Sequence, residues 1–399
     1  MAEQLHRPQA RRSFLGIAAA AGLTIALAGC QLIPGGPPGP PPAPEPLPKP
    51  QAEPGPVPGL PPDETRNRVA VLVPLSGPNA GVGRSIANAA NLALLDAGGD
   101  RIRITVYDTA RGAGTAANEA LAQGNGLFLG PLLAEDVQAV APIARRARVP
   151  VIAFSNDVAV AGNGVYVMGF NPTQSIERVV GHARSAGLQR FAGLIPTGVY
   201  GQRASQALID AVERSGGRMV AMQTYDRSPA ALRSAVTRLN GQSGYDAVLI
   251  ADNARIAVQA APMIRSGPSR GARILGTELW KTESNLAGHA PLRGAWFASV
   301  PDSMFSQLRT RYRARYGVNP YRLASLGYDA VLLTMRAARD WRVGRTFPEA
   351  ELRTEEGFTG VDGAFRFGPG GVAERALEVQ QINGGGVVAV SPAPRNFGG

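Results

Sequence analysis

The sequence predicts an α/β fold with two Rossmann-like lobes, each built on a parallel sheet. The first observation is a set of short apolar runs, such as the valine-rich residues 68–75, that indicate strands buried on both faces. The second is that helical segments alternate with these runs, as in successive βαβ units. The third is that the alternation pauses at 155–172 and then restarts for about 125 residues, the length of a second domain.

The individual elements follow from the same patterns. In the first run we predict strands at 68–75, 101–108, 126–130 and 149–155, with helices at 85–98, 114–122 and 134–146. In the second run we predict strands at 190–196, 218–225, 245–252, 272–278 and 294–300, with helices at 201–215, 229–240 and 254–266. Helices near 303–316 and 322–341 come next, and the Gly-rich turns of 358–390 predict a small antiparallel addition.

The N-terminus has the features of an export signal. Two arginines precede an apolar run that is shorter than a membrane span usually is. The run ends in Leu27-Ala28-Gly29-Cys30, which resembles the lipobox of bacterial lipoproteins, in which the cysteine is lipidated and becomes the new N-terminus. A buried cysteine in a signal anchor is the alternative, and Arg11-Arg12 leaves both twin-arginine and general export open. We predict a signal peptide over 1–30 and lipid on Cys30.

Residues 31–66 have the composition of a linker. Fifteen of these 36 positions are proline and five are glycine, so the segment cannot bury enough apolar surface to fold. A proline-rich chain is extended and semi-rigid, so this segment would hold the following domain away from a membrane. The alternative is a passive spacer whose length has no function.

Composition and motifs exclude several function classes. Cys30 is the only cysteine, so neither a disulfide nor a cysteine-based metal site can form within the chain. The three histidines have no neighbour at metal-ligand spacing, and no G-x-S-x-G, S-x-x-K or H-E-x-x-H motif occurs. The net charge of +11 favours anionic partners, but the arginines are scattered and form no nucleic-acid-binding pattern. We therefore expect a non-enzymatic protein with no metal, no cofactor and no nucleic-acid partner.

Polar loops that follow the predicted strands are the candidate ligand site, because ligands of open parallel sheets bind outside the carboxyl ends of the strands. The loop 76–85 leads into a helix whose N-terminus suits a carboxylate, although a tight turn with a helix cap is the alternative. The loop 154–157 offers a hydroxyl, an amide and a carboxylate, or is a simple capped loop. Tyr200 would contact a ligand or brace a hinge, and Glu278 would accept a hydrogen bond from an ammonium group.

An ordered set of segments resembles the type I periplasmic binding proteins of the leucine-binding group. These segments are 69–98, 130–155, 169–187, 196–205, 245–252 and 316–333, and the resemblance covers about residues 67–399. It implies two lobes joined by a hinge, with lobe one at about 67–170 and 300–355 and lobe two at about 171–299 and 356–399. It also implies a ligand site made of Ser76, Gly77, Asn79, Ser155, Asn156, Tyr200 and Glu278. Asn156-Asp157 stands where amino-acid binders usually have a small residue and a second hydroxyl.

Within that group, residues 274–283 and 357–385 resemble penicillin-binding-protein activator lipoproteins. This implies a regulator of peptidoglycan synthesis that contacts a penicillin-binding protein, although a linker stands here where the best-known activators have a helical-repeat domain. The alternative is a substrate-binding lipoprotein for ABC-type uptake of amino acids, which would bind an amino-acid-like ligand and a permease. We predict the first function, in the periplasm. Gln31 follows Cys30, as in lipoproteins of the outer membrane, and favours that membrane over the inner one.

Overall fold

A computed structural model describes residues 63, 65–242, 244–282, 285–395 and 397. The predicted signal peptide with Cys30, and all but three residues of the predicted linker, lie outside the described residues. In the described part of the chain, no helix is both long enough and apolar enough to cross a membrane.

Lobe one is built on a five-stranded parallel sheet. Its strands are β1 (Asn67–Val73), β2 (Ile102–Asp108), β3 (Leu127–Leu129), β4 (Val151–Ala153) and β5 (Val165–Val167). The helices between them are α1 (Ala80–Asp96), α2 (Ala113–Ala122) and α3 (Ala134–Ala147). The spatial order is β2-β1-β3-β4-β5, and every neighbouring pair is parallel. Val69 to Val73 are fully buried because helices cover both faces of this sheet, which explains the absence of alternation in β1.

Lobe two is built on a seven-stranded mixed sheet with five parallel strands. Its parallel strands are β6 (Arg190–Pro196), β7 (Arg218–Tyr225), β8 (Ala247–Ile250), β9 (Arg273–Gly276) and β10 (Trp296–Ser299). Its helices are α4 (Pro172–Ser185), α5 (Val199–Arg214), α6 (Pro229–Asn240) and α7 (Ala254–Arg265). Side chains of Asn171, Ser228 and Asn253 accept from backbone N–H groups and cap α4, α6 and α7.

The chain then returns to lobe one. Leu308 of α8 (Ser303–Tyr316) and Leu326 of α9 (Ala324–Ala337) share one hydrophobic core with Ile86 of α1. A three-stranded antiparallel sheet follows, made of β11 (Phe358–Gly360), β12 (Gly363–Phe367) and β13 (Ala373–Arg375). The antiparallel pair β14 (Glu378–Asn383) and β15 (Gly386–Ser391) comes next and joins the lobe-two sheet. The strand order of that sheet is β15-β14-β10-β9-β8-β6-β7.

The antiparallel tail is divided between the lobes. The sequence places the final return to lobe two at residue 356, whereas Phe358 and Phe365 pack into the core of lobe one. Val379 and Ile382 of β14 are the tail residues that pack into lobe two. The difference arises because the aromatic side chains of β11 and β12 fill the space beside α9, so the chain crosses to lobe two after β13.

A cluster of buried charges lies where the crossing segments meet. The Asp329 carboxylate, on α9, accepts hydrogen bonds from the backbone N–H groups of Val361 (2.7 Å) and Asp362 (3.3 Å). The Asp362 side chain is 0% exposed and pairs with Arg322 at 2.6 Å. Arg375 of β13 donates to the carbonyl oxygen of Met168, just after β5, at 2.6 Å. These charges therefore connect α9, the turn between β11 and β12, and two of the segments between the lobes.

The buried Asp329 predicts a pH-dependent stability. Burial, and next the negative charge of Asp362, raise the pKa of Asp329 from 3.8 to about 7. Between these two values the unfolded chain has released the proton that the folded protein still holds, so the free energy of unfolding falls as pH rises through this window. We expect Asp329→Asn, which stays neutral, to flatten this fall, as measured by denaturant unfolding between pH 5 and pH 8.

Asp340→Asn is the matched control, because Asp340 is exposed just beyond the same helix. The free energy of unfolding of this variant should fall with rising pH as steeply as that of the parent protein. If the unfolding free energy of Asp329→Asn fell with pH as steeply as that of the parent protein, another group and not Asp329 would hold the proton.

Candidate ligand-binding cleft

A cavity of about 360 Å³ opens between loops of the two lobes. This volume lies in the range of small-molecule sites. The loops after β1, β3 and β4 form its lobe-one side, as expected for the crevice outside the carboxyl ends of parallel strands. Most of its wall is apolar and comes from Val82, Leu132, Leu133, Phe154, Phe170 and Leu323, with Leu279 and Val300 on the other side.

Three of the seven predicted ligand-site residues line this cavity. They are Asn79 at the start of α1, Asn156 after β4 and Glu278 after β9. Each stands at the carboxyl end of a parallel strand, which is the feature that made it a candidate. The cavity therefore brings together residues that are far apart in the sequence.

The predicted residues Ser76, Gly77 and Ser155 are not part of the cavity wall. The Ser76 hydroxyl donates to Asp108 Oδ2 at 2.9 Å, and Gly77 is an exposed turn residue with φ of 70°. Ser155 is buried, and its hydroxyl oxygen accepts from the backbone N–H of Asp157 at 3.0 Å. The side chains of Ser76 and Ser155 therefore hold the loops that carry Asn79 and Asn156, and a ligand contact of Ser76, Gly77 or Ser155 stays a prediction.

Tyr200 also lies behind the cavity wall, in a network with Glu278. Its hydroxyl lies 3.0 Å from Thr277 Oγ1 and donates to Glu278 Oε1 at 3.2 Å. The hydroxyl of Ser175, on α4, donates to the other oxygen, Glu278 Oε2. Burial raises the pKa of Glu278, and the hydrogen bonds from Ser175 and Tyr200 lower it only in part. Burial likewise raises the pKa of Tyr200 well above its usual value. Tyr200 therefore braces Glu278 within lobe two.

Two cationic residues of the cavity wall, Lys281 and Arg322, are absent from the sequence-based site. Lys281 Nζ donates to Asp302 Oδ2 at 2.7 Å and to Gln380 Oε1 at 2.9 Å. Burial lowers the pKa of Lys281, and the ion pair with Asp302 opposes this effect. Lys281 is one of only two lysines and follows Glu278 by three residues, so the sequence carried a signal for it. Arg322 lies in the loop between α8 and α9. No comparable feature of the sequence marks it as a site residue.

An ion pair joins the two lobes beside Asn156. Arg203 of α5 donates to Asp157 Oδ1, and the same oxygen accepts from the backbone N–H of Ala159 at 2.8 Å. Both side chains are partly exposed, so the pair is accessible to water and salt. It links a loop of lobe one to a helix of lobe two and therefore favours the arrangement of the lobes in which it forms.

Among the described residues, no group of three or more His, Cys, Asp or Glu side chains is arranged to hold a metal ion. His182 packs edge-on against Trp296, with ring centroids 4.6 Å apart, and burial lowers the pKa of this histidine. Its position is that of a packing residue.

The chain belongs to the periplasmic binding protein family, because the family model matches residues 67–386. This membership implies a periplasmic location. A curated relative, an uncharacterized protein of Rickettsia prowazekii (strain Madrid E), is 25% identical over 177 residues. That match covers 44% of this chain and 47% of the relative, so the chain spans about half of the relative's length.

Solved structures show the type I periplasmic binding protein fold with two lobes. A branched-chain amino acid ABC transporter ligand-binding protein of Burkholderia xenovorans LB400 matches with a TM-score of 0.67 and 16% identity, over 83% of this chain and 96% of that one. A solute-binding protein of Rhodopseudomonas palustris BisB5, in complex with 3,4-dihydroxybenzoic acid, has a TM-score of 0.65, 18% identity and coverages of 84% and 98%. A Streptococcus pneumoniae branched-chain amino acid binding protein, in complex with isoleucine, has a TM-score of 0.61, 19% identity and coverages of 82% and 100%. The family and these neighbours are binding proteins.

The ion pair between Asp157 and Arg203 predicts a change in lobe closure. We expect Asp157→Asn to keep the hydrogen bond to Ala159 but to lose the charge pair, which weakens the closed form by up to about 1 kcal/mol. Distances between spin labels on the two lobes should shift towards longer values, and added salt should reproduce the shift in the parent protein.

Asp226→Asn is the matched control, since Asp226 makes a similar local hydrogen bond, to the N–H of Ser228 at 2.8 Å, within lobe two. It should leave the distance distribution unchanged. Equal distributions in the parent protein and Asp157→Asn would show that the pair does not control closure.

Proposed function

We propose that the protein is the substrate-binding component of an ABC-type uptake system and takes up a small organic solute of amino-acid size. The observation that carries this proposal is the cavity between the lobes, with an apolar wall and a few polar groups that would orient one small molecule. Closure of two lobes around such a cavity is the usual mode of binding for this architecture. We infer from the same features that the protein binds its solute without catalysing a reaction.

The structural neighbours support a solute of this size. One neighbour holds isoleucine and another holds 3,4-dihydroxybenzoic acid, and both compounds are small carboxylates with a compact carbon skeleton. Two partners follow from the proposed role, namely a membrane permease and the small-molecule solute. Ligand contacts are proposed for Asn79, Asn156 and Glu278, which line the cavity.

We propose that lipid on Cys30 anchors the protein to a membrane, and that the proline-rich segment lets the domain reach a permease or another envelope protein. The four residues that end at Cys30 and the composition of 31–66 support this arrangement. The residue after the cysteine, Gln31, favours the outer membrane.

A second candidate is the regulator of peptidoglycan synthesis. The observation that favours it is the resemblance of residues 274–283 and 357–385 to penicillin-binding-protein activators. In that case the partner would be a penicillin-binding protein, and the cavity would not be needed for the activity.

Uptake measurements test the proposal. Cells that lack this chain should lose high-affinity uptake of one labelled solute from a panel of amino acids and small carboxylic acids, and the parent gene should restore it. We expect Asn156→Trp to fail to restore uptake and to weaken binding by the purified protein at least about tenfold, because the large side chain would fill a cavity of about 360 Å³ from an exposed position.

Asn118→Trp is the control, since Asn118 is exposed on α2 and is not part of the cavity wall. It should restore uptake fully. Unchanged uptake of the whole panel in the deletion strain would contradict the proposal. Reduced peptidoglycan synthesis in that strain, restored equally by the parent and by Asn156→Trp, would favour the regulator instead.

A further inference from the structure

Two cationic side chains line the cavity from different lobes. Lys281 follows β9 in lobe two, and Arg322 lies between α8 and α9 in lobe one. Both side chains are mostly buried, at 11% and 12% exposure. Both residues line one cavity, and the pKa of Lys281 is lowered mainly by burial and also by repulsion from the charge of Arg322. An anion in the cavity would relieve this repulsion and be attracted by both groups.

Lys281 and Arg322 each keep an N–H donor that their present partners do not use. Lys281 donates to Asp302 and Gln380, which leaves one N–H of its ammonium group. Arg322 donates to Ser325 Oγ at 3.0 Å and pairs with Asp362, while its Nε has no hydrogen-bond acceptor among the described residues. Neither Asp302 nor Asp362 belongs to the cavity wall. In both ion pairs, Lys281–Asp302 and Arg322–Asp362, the cation lines the cavity and the aspartate does not.

Among the described residues, Glu278 is the one carboxylate that lines the cavity, and it already has hydrogen-bond partners. Each oxygen of Glu278 accepts a hydrogen bond, one from Ser175 and one from Tyr200. Burial raises the pKa of this carboxyl group, and the hydrogen bonds from Ser175 and Tyr200 oppose this effect. A ligand ammonium group would thus meet two cations and a carboxylate whose two oxygens already accept hydrogen bonds.

We propose that the solute is a small carboxylate with an apolar body and no ammonium group, held by Lys281 and Arg322. Its body would contact Leu132, Phe154 and Phe170 in the apolar part of the wall. This inference rests on the proposed function and narrows its ligand class, because an α-amino acid of equal size would place its ammonium group near two cations and beside Glu278, whose oxygens already accept hydrogen bonds.

Matched ligands test the inference directly. We would measure binding of the full-length protein in detergent to leucine, to 4-methylpentanoate, which lacks only the ammonium group, and to 3-methylbutylamine, which lacks the carboxylate. Phenylalanine and 3-phenylpropanoate form a second pair with a larger apolar body. At least one of the two deaminated acids should bind at least about tenfold more tightly than its amino acid, and the amine should not bind.

Variants of Lys281 test whether its positive charge holds the carboxylate of the ligand. Lys281→Met should weaken binding of the deaminated acid at least about tenfold, and Lys281→Arg should weaken it less, because the cation is kept. Arg233→Met removes one cation from an exposed position on α6 and should leave binding unchanged. Arg322 is unsuitable for this test because its loss would leave Asp362 buried without a counterion.

Tighter binding of leucine or phenylalanine than of the deaminated acids would overturn the inference and leave the proposed function intact. Equal binding of the acid by the parent protein and by Lys281→Met would overturn the role of Lys281. If none of the five compounds binds, the inference is wrong, and the uptake panel decides the proposed function separately.

Discussion

The ion pair between Arg322 and Asp362 is the interaction on which the cleft and the junction of the lobes both depend. The Asp362 side chain is 0% exposed, and a buried carboxylate costs several kcal/mol unless a cation accompanies it. Arg322 therefore has to stay in place, where it also stacks on Phe305 at 4.0 Å from the ring centre. Asp329 holds the same turn through two backbone N–H groups. A cation of the cavity wall is thus fixed by the buried structure behind it.

The second cation is fixed in a similar way. Lys281 donates to Asp302, which lies between β10 and α8, and to Gln380, which lies in β14. The first partner is in the connection that leaves lobe two, and the second follows the connection that returns to it. The segments that join the lobes therefore also position the charges that would meet a ligand. Charges placed in this way would change their spacing when the lobes rotate, so ligand binding and closure are coupled by geometry. The apolar wall, by contrast, comes largely from loops that follow the strands of lobe one.

Much of the fold was predictable because buried parallel strands have a strong sequence pattern. The apolar run 68–75 includes all of β1 except its first residue, Asn67, and the rule that ligands bind beyond strand ends led to Asn79, Asn156 and Glu278. Arg322 was not predictable, because only the return of α8 and α9 to lobe one brings their connecting loop to the cavity. The place of the last crossing was also hidden, since Phe358 and Phe365 suit either lobe until their packing is known.

An experimental structure of the protein with 4-methylpentanoate or 3-phenylpropanoate bound would test the central claim most directly. We predict that the lobes close on the ligand, with its carboxylate within about 3 Å of Lys281 Nζ and of a nitrogen of Arg322. Leu132, Phe154 and Phe170 should contact its carbon skeleton. A carboxylate bound to the backbone N–H groups near Asn79, with Lys281 and Arg322 not contacting the ligand, would contradict the account.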